Sequence, residues 1–191
     1  MNSAEVRAGQ TVIVMGVGGI GINAVQGAAA AGAAQVIAVD PVEFKRRTAL
    51  GLGATHAVAD IAEATELACS LTNGQGADSA IVTVGVTRAE HIGQAFAAIR
   101  KAGTVVVTGV GPDTTLPISM VELIFYQKRI QGSLYGACSP TWDIRAQAQM
   151  YRDGRLKLDE LITTTYSLHD INLGYEDMHA GRNIRGVIVY D

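Results

Sequence analysis

The chain is 191 residues long, 48% hydrophobic and 17% charged, the size and balance of one folded domain rather than of a disordered or fibrous chain. Fifteen Lys and Arg against 18 Asp and Glu leave a net charge of −3. No charge block is long enough for a nucleic-acid tract or a membrane anchor, so a small-molecule partner is expected. Two cysteines, Cys69 and Cys138, make neither a disulfide framework nor a C-x-x-C pair, which predicts a reducing, cytoplasmic compartment.

The apolar run from Thr11 to Ile22 follows Arg7 and imitates a secretory signal. Glu5 offsets Arg7, however, and Gly16, Gly18, Gly19 and Gly21 interrupt the run. Asn23 and Gln26 end it short of the ~20 apolar residues that a membrane span needs.

Thr11–Met15 is a continuous β-branched run, the pattern of a strand buried on both faces of a parallel sheet. Residues 19–31 suit a helix that Gly32 caps. Gln35–Val39 predicts a second strand, and Val42–Leu50 a helix with Lys45, Arg46 and Arg47 on its exposed side. Residues 57–59 form a weak third strand, and Ile61–Leu71 a third helix. Strand Ser79–Val84, helix Ala89–Arg100 and strand Thr104–Val110 follow, with Gly103 as the turn before the last. This alternation means right-handed βαβ units in a doubly wound sheet. After Gly111 and Pro112 come a helix at Met120–Tyr126, a sixth strand at Arg129–Leu134 and a helix at Pro140–Arg152. Beyond these the alternation ends, with a short strand at Thr163–Tyr166, a helix at Ile171–Ala180 and a closing strand at Val187–Tyr190. Ser167 and Asp170 read as the S-x-x-D start of that last helix and Gly181 as its stop. Residues 135–191 are too few and too sparsely apolar for a core of their own.

Gly16, Gly18 and Gly21 form G-x-G-x-x-G between the first strand and the first helix, the context in which this motif has meaning. The first glycine permits a tight turn, the second a close approach of a pyrophosphate, and the third close packing of helix on strand. With Gly19 and Ile20 they place helix N–H groups toward an anion. No Gly-Lys-Ser/Thr follows, so the turn is not a P-loop. The absence of an acid in or just after the first strand disfavours an S-adenosylmethionine site. Asp40 ends the second strand nineteen residues after Gly21, close to the ~20 expected of an acid that accepts from the adenosine ribose. That position favours NAD over NADP, whose 2′-phosphate the carboxylate would repel. Asp40, Pro41 and Glu43 also read as a helix N-cap, first-turn proline and capping box. The two roles are compatible. Lys45, Arg46 and Arg47 are the features that would suit NADP.

The glycine turn, Asp40, the Gly51–His56 and Gly74–Asp78 stretches, and the Ile184–Tyr190 ending resemble the cofactor-binding part of the medium-chain, zinc-containing alcohol dehydrogenases over nearly the whole chain. Val12–Gly21 and Asp177–Arg185 further resemble the actinobacterial branch that includes nicotinoprotein and thiol-dependent aldehyde-oxidising members. The resemblance implies a Rossmann fold of six parallel strands. It implies hydride transfer between NAD(H) and an alcohol or aldehyde, and a C-terminal extension that packs on a catalytic domain. By position, Lys45 is expected near the ribose and Arg185 near the pyrophosphate, with Val84, Val110, Ser133 and Tyr135 along the cofactor or nicotinamide. The division expected is 1–134 for the dinucleotide domain and 135–191 for a segment belonging to the catalytic domain.

In that family a separate amino-terminal domain supplies the zinc ligands, and only ten residues precede the first strand here. Cys69, Cys138, His56, His91, His169 and His179 show no ligand spacing, whereas a catalytic zinc takes three protein ligands and an open position. The expectation is therefore dinucleotide binding without turnover by this chain alone. The alternative is a stand-alone NAD(H)-sensing or scaffolding module. A homodimer is expected by analogy with the same family, through residues 116–119 and the sixth strand.

Overall fold

A computed structural model describes residues 2–190. They divide into two compact units that meet in sequence between Cys138 and Ser139.

In the first unit, β1 (Thr11–Met15), β2 (Gln35–Val39), β3 (His56–Val58), β4 (Ala77–Val82), β5 (Ile99–Val107) and β6 (Arg129–Gly132) form one sheet. The strand order is β3-β2-β1-β4-β5-β6 and every pairing is parallel. The connecting helices are α1 (Gly21–Ala30), α2 (Glu43–Gly51), α3 (Ile61–Leu71), α4 (Ala89–Ala98) and α5 (Met120–Phe125). This is the doubly wound arrangement that the βαβ alternation predicts.

β1 lies in the middle, and all five of its residues are buried. Ile13 and Met15 pack with Ile37, Val39, Val82 and Val105 against Ile61, Ala64 and Ala68 of α3 and Ala95 and Phe96 of α4. The alternate residues Val12 and Val14 point to the other face, where α1 packs on β1 and β2 and buries Ile22, Val25 and Ala28. Each fully buried Val or Ile contributes roughly 1.5–3 kcal/mol, which explains why the strand between two helical layers is continuously apolar. Gly32 ends α1 at φ +84°, a left-handed position that glycine takes without strain.

Several boundaries shift, with α4 ending at Ala98, β5 at Val107 and β6 at Gly132, and three shifts bear on the site. β4 begins at Ala77 rather than Ser79 and ends at Val82, which leaves Val84 outside the strand. β5 starts at Ile99, and its register jumps so that Ala77 pairs with Ile99 but Ser79 with Thr104. Residues 100–103 bulge out, so Gly103 sits inside an interrupted strand rather than before it. Asp78 is the cause. Its Oδ1 accepts from Arg100 Nε at 2.7 Å and its Oδ2 from the Thr11 N–H at 2.8 Å, joining the bulge to the start of β1. The third shift is at α2, where Val42, not Asp40, is the N-cap. The Asp40 carboxylate reaches the Val42 N–H at 2.9 Å in a local turn, so Pro41 precedes the helix instead of opening it.

At the far edge, Lys128 is buried at the start of β6, where Nζ donates to Glu122 Oε2 at 2.6 Å and to the Phe96 carbonyl at 2.8 Å. It also lies 5.0 Å from the Phe96 ring centroid. The buried charge is thus fully paired and fixes α5 against β6. Among the described residues no helix is long and apolar enough to cross a membrane.

The second unit contains α6 (Pro140–Arg152), β7 (Ile162–Tyr166), α7 (Ile171–His179) and β8 (Arg185–Ile188), with β7 and β8 paired in parallel. β8 therefore starts two residues before the expected strand. A 3₁₀ turn at Leu168–Asp170 precedes α7, and the Ser167 hydroxyl donates to Asp170 Oδ2 at 2.6 Å rather than capping the helix backbone. Tyr166 is the anchor here. Its hydroxyl donates to Asp177 Oδ2 at 2.6 Å and accepts from Asn183 Nδ2 at 3.0 Å. Its ring lies so close to Gly186 that a Cβ there would come within 2.7 Å of it. Arg182 Nε donates to the other Asp177 oxygen at 2.6 Å, and Gly181 turns the chain at φ +69°. The Asp177–Arg185 stretch thus holds a turn around one buried tyrosine.

The Tyr166 hydrogen bond, followed by that from Arg182, holds the Asp177 carboxyl below its ordinary value. A depressed folded-state pKa contributes stability above the unfolded value of about 4 and loses it as pH falls through the folded value. The protection of residues 162–188 against hydrogen exchange, relative to the intrinsic rate at each pH, should therefore fall only below about pH 4 in the full chain. Asp177→Asn should raise exchange at pH 7 and flatten that acid dependence. Wild-type acid sensitivity persisting unchanged in Asp177→Asn would contradict this account.

Candidate functional site

β1 ends where its two neighbours diverge, with β2 on one side and β4 on the other. Such a switch point opens a crevice at the carboxyl ends of the strands. Gly16 makes the turn out of β1 at φ +87°, and its N–H donates to the Val39 carbonyl at 2.8 Å. A Cβ there would press on the Val84 backbone and side chain at 3.0 Å. Gly21 allows no side chain either, because its Cβ would overlap the Gly16 carbonyl oxygen and lie 2.6 Å from Thr83 Oγ1. Gly18 is different: nothing lies within 4 Å of the position a Cβ would take. The middle of the turn is open to an approaching group, while its two ends are closed by packing.

Ile20 occupies the N-cap of α1 and makes no side-chain cap, and the first turn holds no acidic residue. The positive end of the helix dipole therefore faces the turn with no acidic side chain of the helix itself against it. The Gly18 carbonyl accepts from the Ile22 N–H at 2.9 Å and the Gly19 carbonyl from Asn23 Nδ2 at 2.9 Å, so the turn is braced by the helix it opens.

Asp40 is 6% exposed at the end of β2. Besides its bond to Val42, its Oδ2 accepts from the Val17 N–H at 3.0 Å. The acid therefore supports the glycine turn directly. A carboxylate has about four lone-pair sites, so two N–H bonds leave capacity for further donors. Of the three basic neighbours, Arg46 donates to the carbonyls of Asp40 at 2.7 Å and Pro41 at 2.8 Å, and Arg47 pairs with Glu43. Lys45 is half-buried on the same helix.

Beside the turn lies a largely apolar pocket of about 490 Å³, lined by Ser3, Ala4, Ile20, Ala24, Ile81, Thr83, Val106, Thr108, Ser133, Leu134, Tyr135 and Gly136. Three of the residues singled out in the sequence, Ile20, Ser133 and Tyr135, meet here. Ser133 Oγ lies 2.6 Å from Ser3 Oγ. Val84 packs on Gly16 instead, and Val110 is 86% exposed outside the lining. Arg185 belongs to the second unit, on β8.

Sequence reasoning missed the hydroxyl residues that knit this crevice. Thr83 follows β4 and its Oγ1 lies 2.5 Å from the Gly16 carbonyl oxygen. The Thr108 hydroxyl donates to the Val82 carbonyl at 3.0 Å. Thr87 packs so tightly on Gly109 and Gly111 that neither has room for a Cβ, which binds the loops after β4 and β5 together. The only signal was a threonine where an apolar strand ends.

The crevice fits a dinucleotide, since it joins an open glycine position, an uncapped helix end, an acid and an apolar pocket. A zinc ion does not fit the described residues, because no three His, Cys, Asp or Glu side chains are grouped to hold one.

A family model described as zinc-binding dehydrogenase matches residues 19–149. The chain is 51% identical over 192 residues to the protein named alcohol dehydrogenase D of Mycobacterium tuberculosis, covering 100% of this chain and 52% of that one. It is 51% identical over 187 residues to the NDMA-dependent alcohol dehydrogenase of Amycolatopsis methanolica, covering 97% and 50%. Among solved structures, an alcohol dehydrogenase zinc-binding domain protein from Burkholderia ambifaria superposes with a TM-score of 0.90 at 29% identity, covering 100% of this chain and 51% of that one. A zinc-binding dehydrogenase from Sinorhizobium meliloti 1021 bound to NADP superposes with a TM-score of 0.84 at 30% identity, covering 99% and 55%. The chain spans about half the length of the curated relatives it matches. With the match running through most of the first unit and over the start of the second, the chain belongs to the zinc-binding dehydrogenase family.

Proposed function

We propose that this chain is the NAD(H)-holding portion of an alcohol- or aldehyde-converting oxidoreductase, and that alone it binds the dinucleotide without turning over alcohol. The observation that carries the reading is the open Gly18 position beside the uncapped N-terminus of α1. That pairing suits a pyrophosphate, which needs close backbone approach and N–H donors rather than a side-chain cation. The cofactor, when bound, supplies hydride transfer. The residues of this chain orient it: Asp40 toward the ribose, the glycine turn toward the phosphates, and the pocket bounded by Ile20, Ser133 and Tyr135 around the nicotinamide. Lys45, Val84, Val110 and Arg185 are assigned to the same ligand by position. Substrate activation draws on groups other than the described residues, which offer zinc no ligand set. Residues 135–191 are proposed to belong structurally to that catalytic part.

NAD is preferred over NADP in this reading because a carboxylate at the end of β2 would repel a 2′-phosphate, while Arg46 is engaged by the Asp40 and Pro41 carbonyls and Arg47 by Glu43. A reducing, cytoplasmic setting is part of the same reading, on the sequence's two cysteines without disulfide or C-x-x-C spacing. A homodimer is proposed at the sheet edge, since β6 is an outer strand and Met120, Val121, Ile124 and Phe125 of the adjoining α5 are exposed. Pairing two such edges would satisfy backbone groups that otherwise invite aggregation.

Calorimetric titration of the full chain should show NADH binding at least about tenfold tighter than NADPH, a difference of 1.4 kcal/mol. Asp40→Asn should reduce that preference to near unity while weakening both ligands, because it removes charge at the ribose and one acceptor from the turn. Equal affinity for the two cofactors in the unaltered chain would contradict the assignment, and no binding of either would overturn the reading itself. Light scattering at micromolar concentration should give a dimer that Phe125→Asp converts to monomer. A monomeric unaltered chain would remove the edge assignment.

A further inference from the structure

Two strands flank β1, and each sends one side chain to the same peptide unit. From β2, Asp40 Oδ2 accepts the Val17 N–H at 3.0 Å. From the end of β4, Thr83 Oγ1 lies 2.5 Å from the Gly16 carbonyl oxygen and 3.0 Å from that of Met15. The Gly16 carbonyl and the Val17 N–H belong to one trans peptide, and they point in opposite directions across its plane. The two side chains therefore grip the peptide at its two polar ends.

The direction of the Thr83 bond follows from proton count. A threonine hydroxyl has one proton to donate. Both the Gly16 and the Met15 carbonyl oxygens lie within its reach, and the proton serves the nearer, that of Gly16; the Met15 oxygen also accepts from the Thr83 N–H at 2.9 Å. Thr83 is 8% exposed, which strengthens the bond and makes its loss costly. Gly21 completes the fit. A side chain there would strike both the Gly16 oxygen and Thr83 Oγ1, so the hydroxyl and the carbonyl meet in space that only glycine leaves open.

We propose that Thr83 is a positioning residue for the dinucleotide: its hydroxyl and Asp40 together fix the plane of the Gly16–Val17 peptide, and that plane sets how Gly18–Gly21 meet the pyrophosphate. The proposal rests on the dinucleotide reading of the glycine turn. Thr83 also lines the neighbouring pocket, so one residue links the turn to the space assigned to the nicotinamide. Unlike Asp40, it makes no distinction between ribose and ribose phosphate. Its removal should weaken NADH and NADPH by the same factor.

The test uses the full chain with Thr83→Val, which keeps the shape and removes the hydroxyl, and Thr83→Ser, which keeps the hydroxyl. Titration with NADH and with NADPH is read beside the melting temperature. Thr83→Val should weaken both ligands about tenfold, the scale of one buried hydrogen bond left unmade, with their ratio unchanged. Thr83→Ser should restore most of the affinity. If Thr83→Val does not fold, Thr83→Cys replaces it, since a thiol is a weaker donor of similar size, and an intermediate loss is expected. NADH affinity unchanged in Thr83→Val, or lowered equally in Thr83→Ser, overturns the proposal while leaving the dinucleotide reading intact. Failure of the unaltered chain to bind NADH overturns both.

Discussion

The peptide between Gly16 and Val17 is the constraint on which the first unit turns. It lies where β1 ends, and it must leave the strand at a positive φ, offer its carbonyl to Thr83 and its N–H to Asp40, and make way for α1. Only glycine satisfies the first demand without strain, and only a glycine at position 21 lets the helix start close enough for the last. The central strand, its two neighbours and the first helix are thus tied to one peptide plane. The buried apolar faces of β1 hold the surrounding layers in register around it.

The consequence is a division of labour in the crevice. Closed ends of the turn give rigidity, and the open middle gives access. The carboxylate of Asp40 serves both, since its bonds to Val17 and Val42 order the backbone without exhausting its acceptors. Preorganisation of this kind lowers the ordering cost of binding. The second unit follows the same logic with different residues. There Tyr166 is held by Asp177 and Asn183 and fits against Gly186, so the glycine at that position reflects ring packing rather than a turn.

Much of this was legible in the sequence. The doubly wound parallel sheet followed from the alternation of apolar runs and helical stretches, and α3 and α6 lie where the pattern placed them because their ends carry clear signals, Asp60 before one and Pro140 opening the other. The misplaced boundaries share a cause. β4 begins in Ala77 and Asp78, which lack β-branched side chains, and it pairs there through a bulge that Asp78 itself organises. Asp40 looked like a helix cap because local spacing favoured it. Its local bond to the Val42 N–H makes a turn before the helix instead, and its bond to Val17 comes from a residue far away in sequence and could not be read from spacing. Thr83 was invisible for the same reason: a threonine after a strand resembles any β-former until its hydroxyl is seen against Gly16.

The central claim is that the glycine turn of the first unit receives a dinucleotide. The most direct measurement is an amide nitrogen–proton correlation spectrum of the labelled chain, followed residue by residue as NADH is added until the shifts saturate. The account predicts saturable shifts at Val17–Gly21 and at Ser133–Tyr135 with a common dissociation constant. Shifts confined to other residues, or an unchanged turn at saturating NADH, would contradict it.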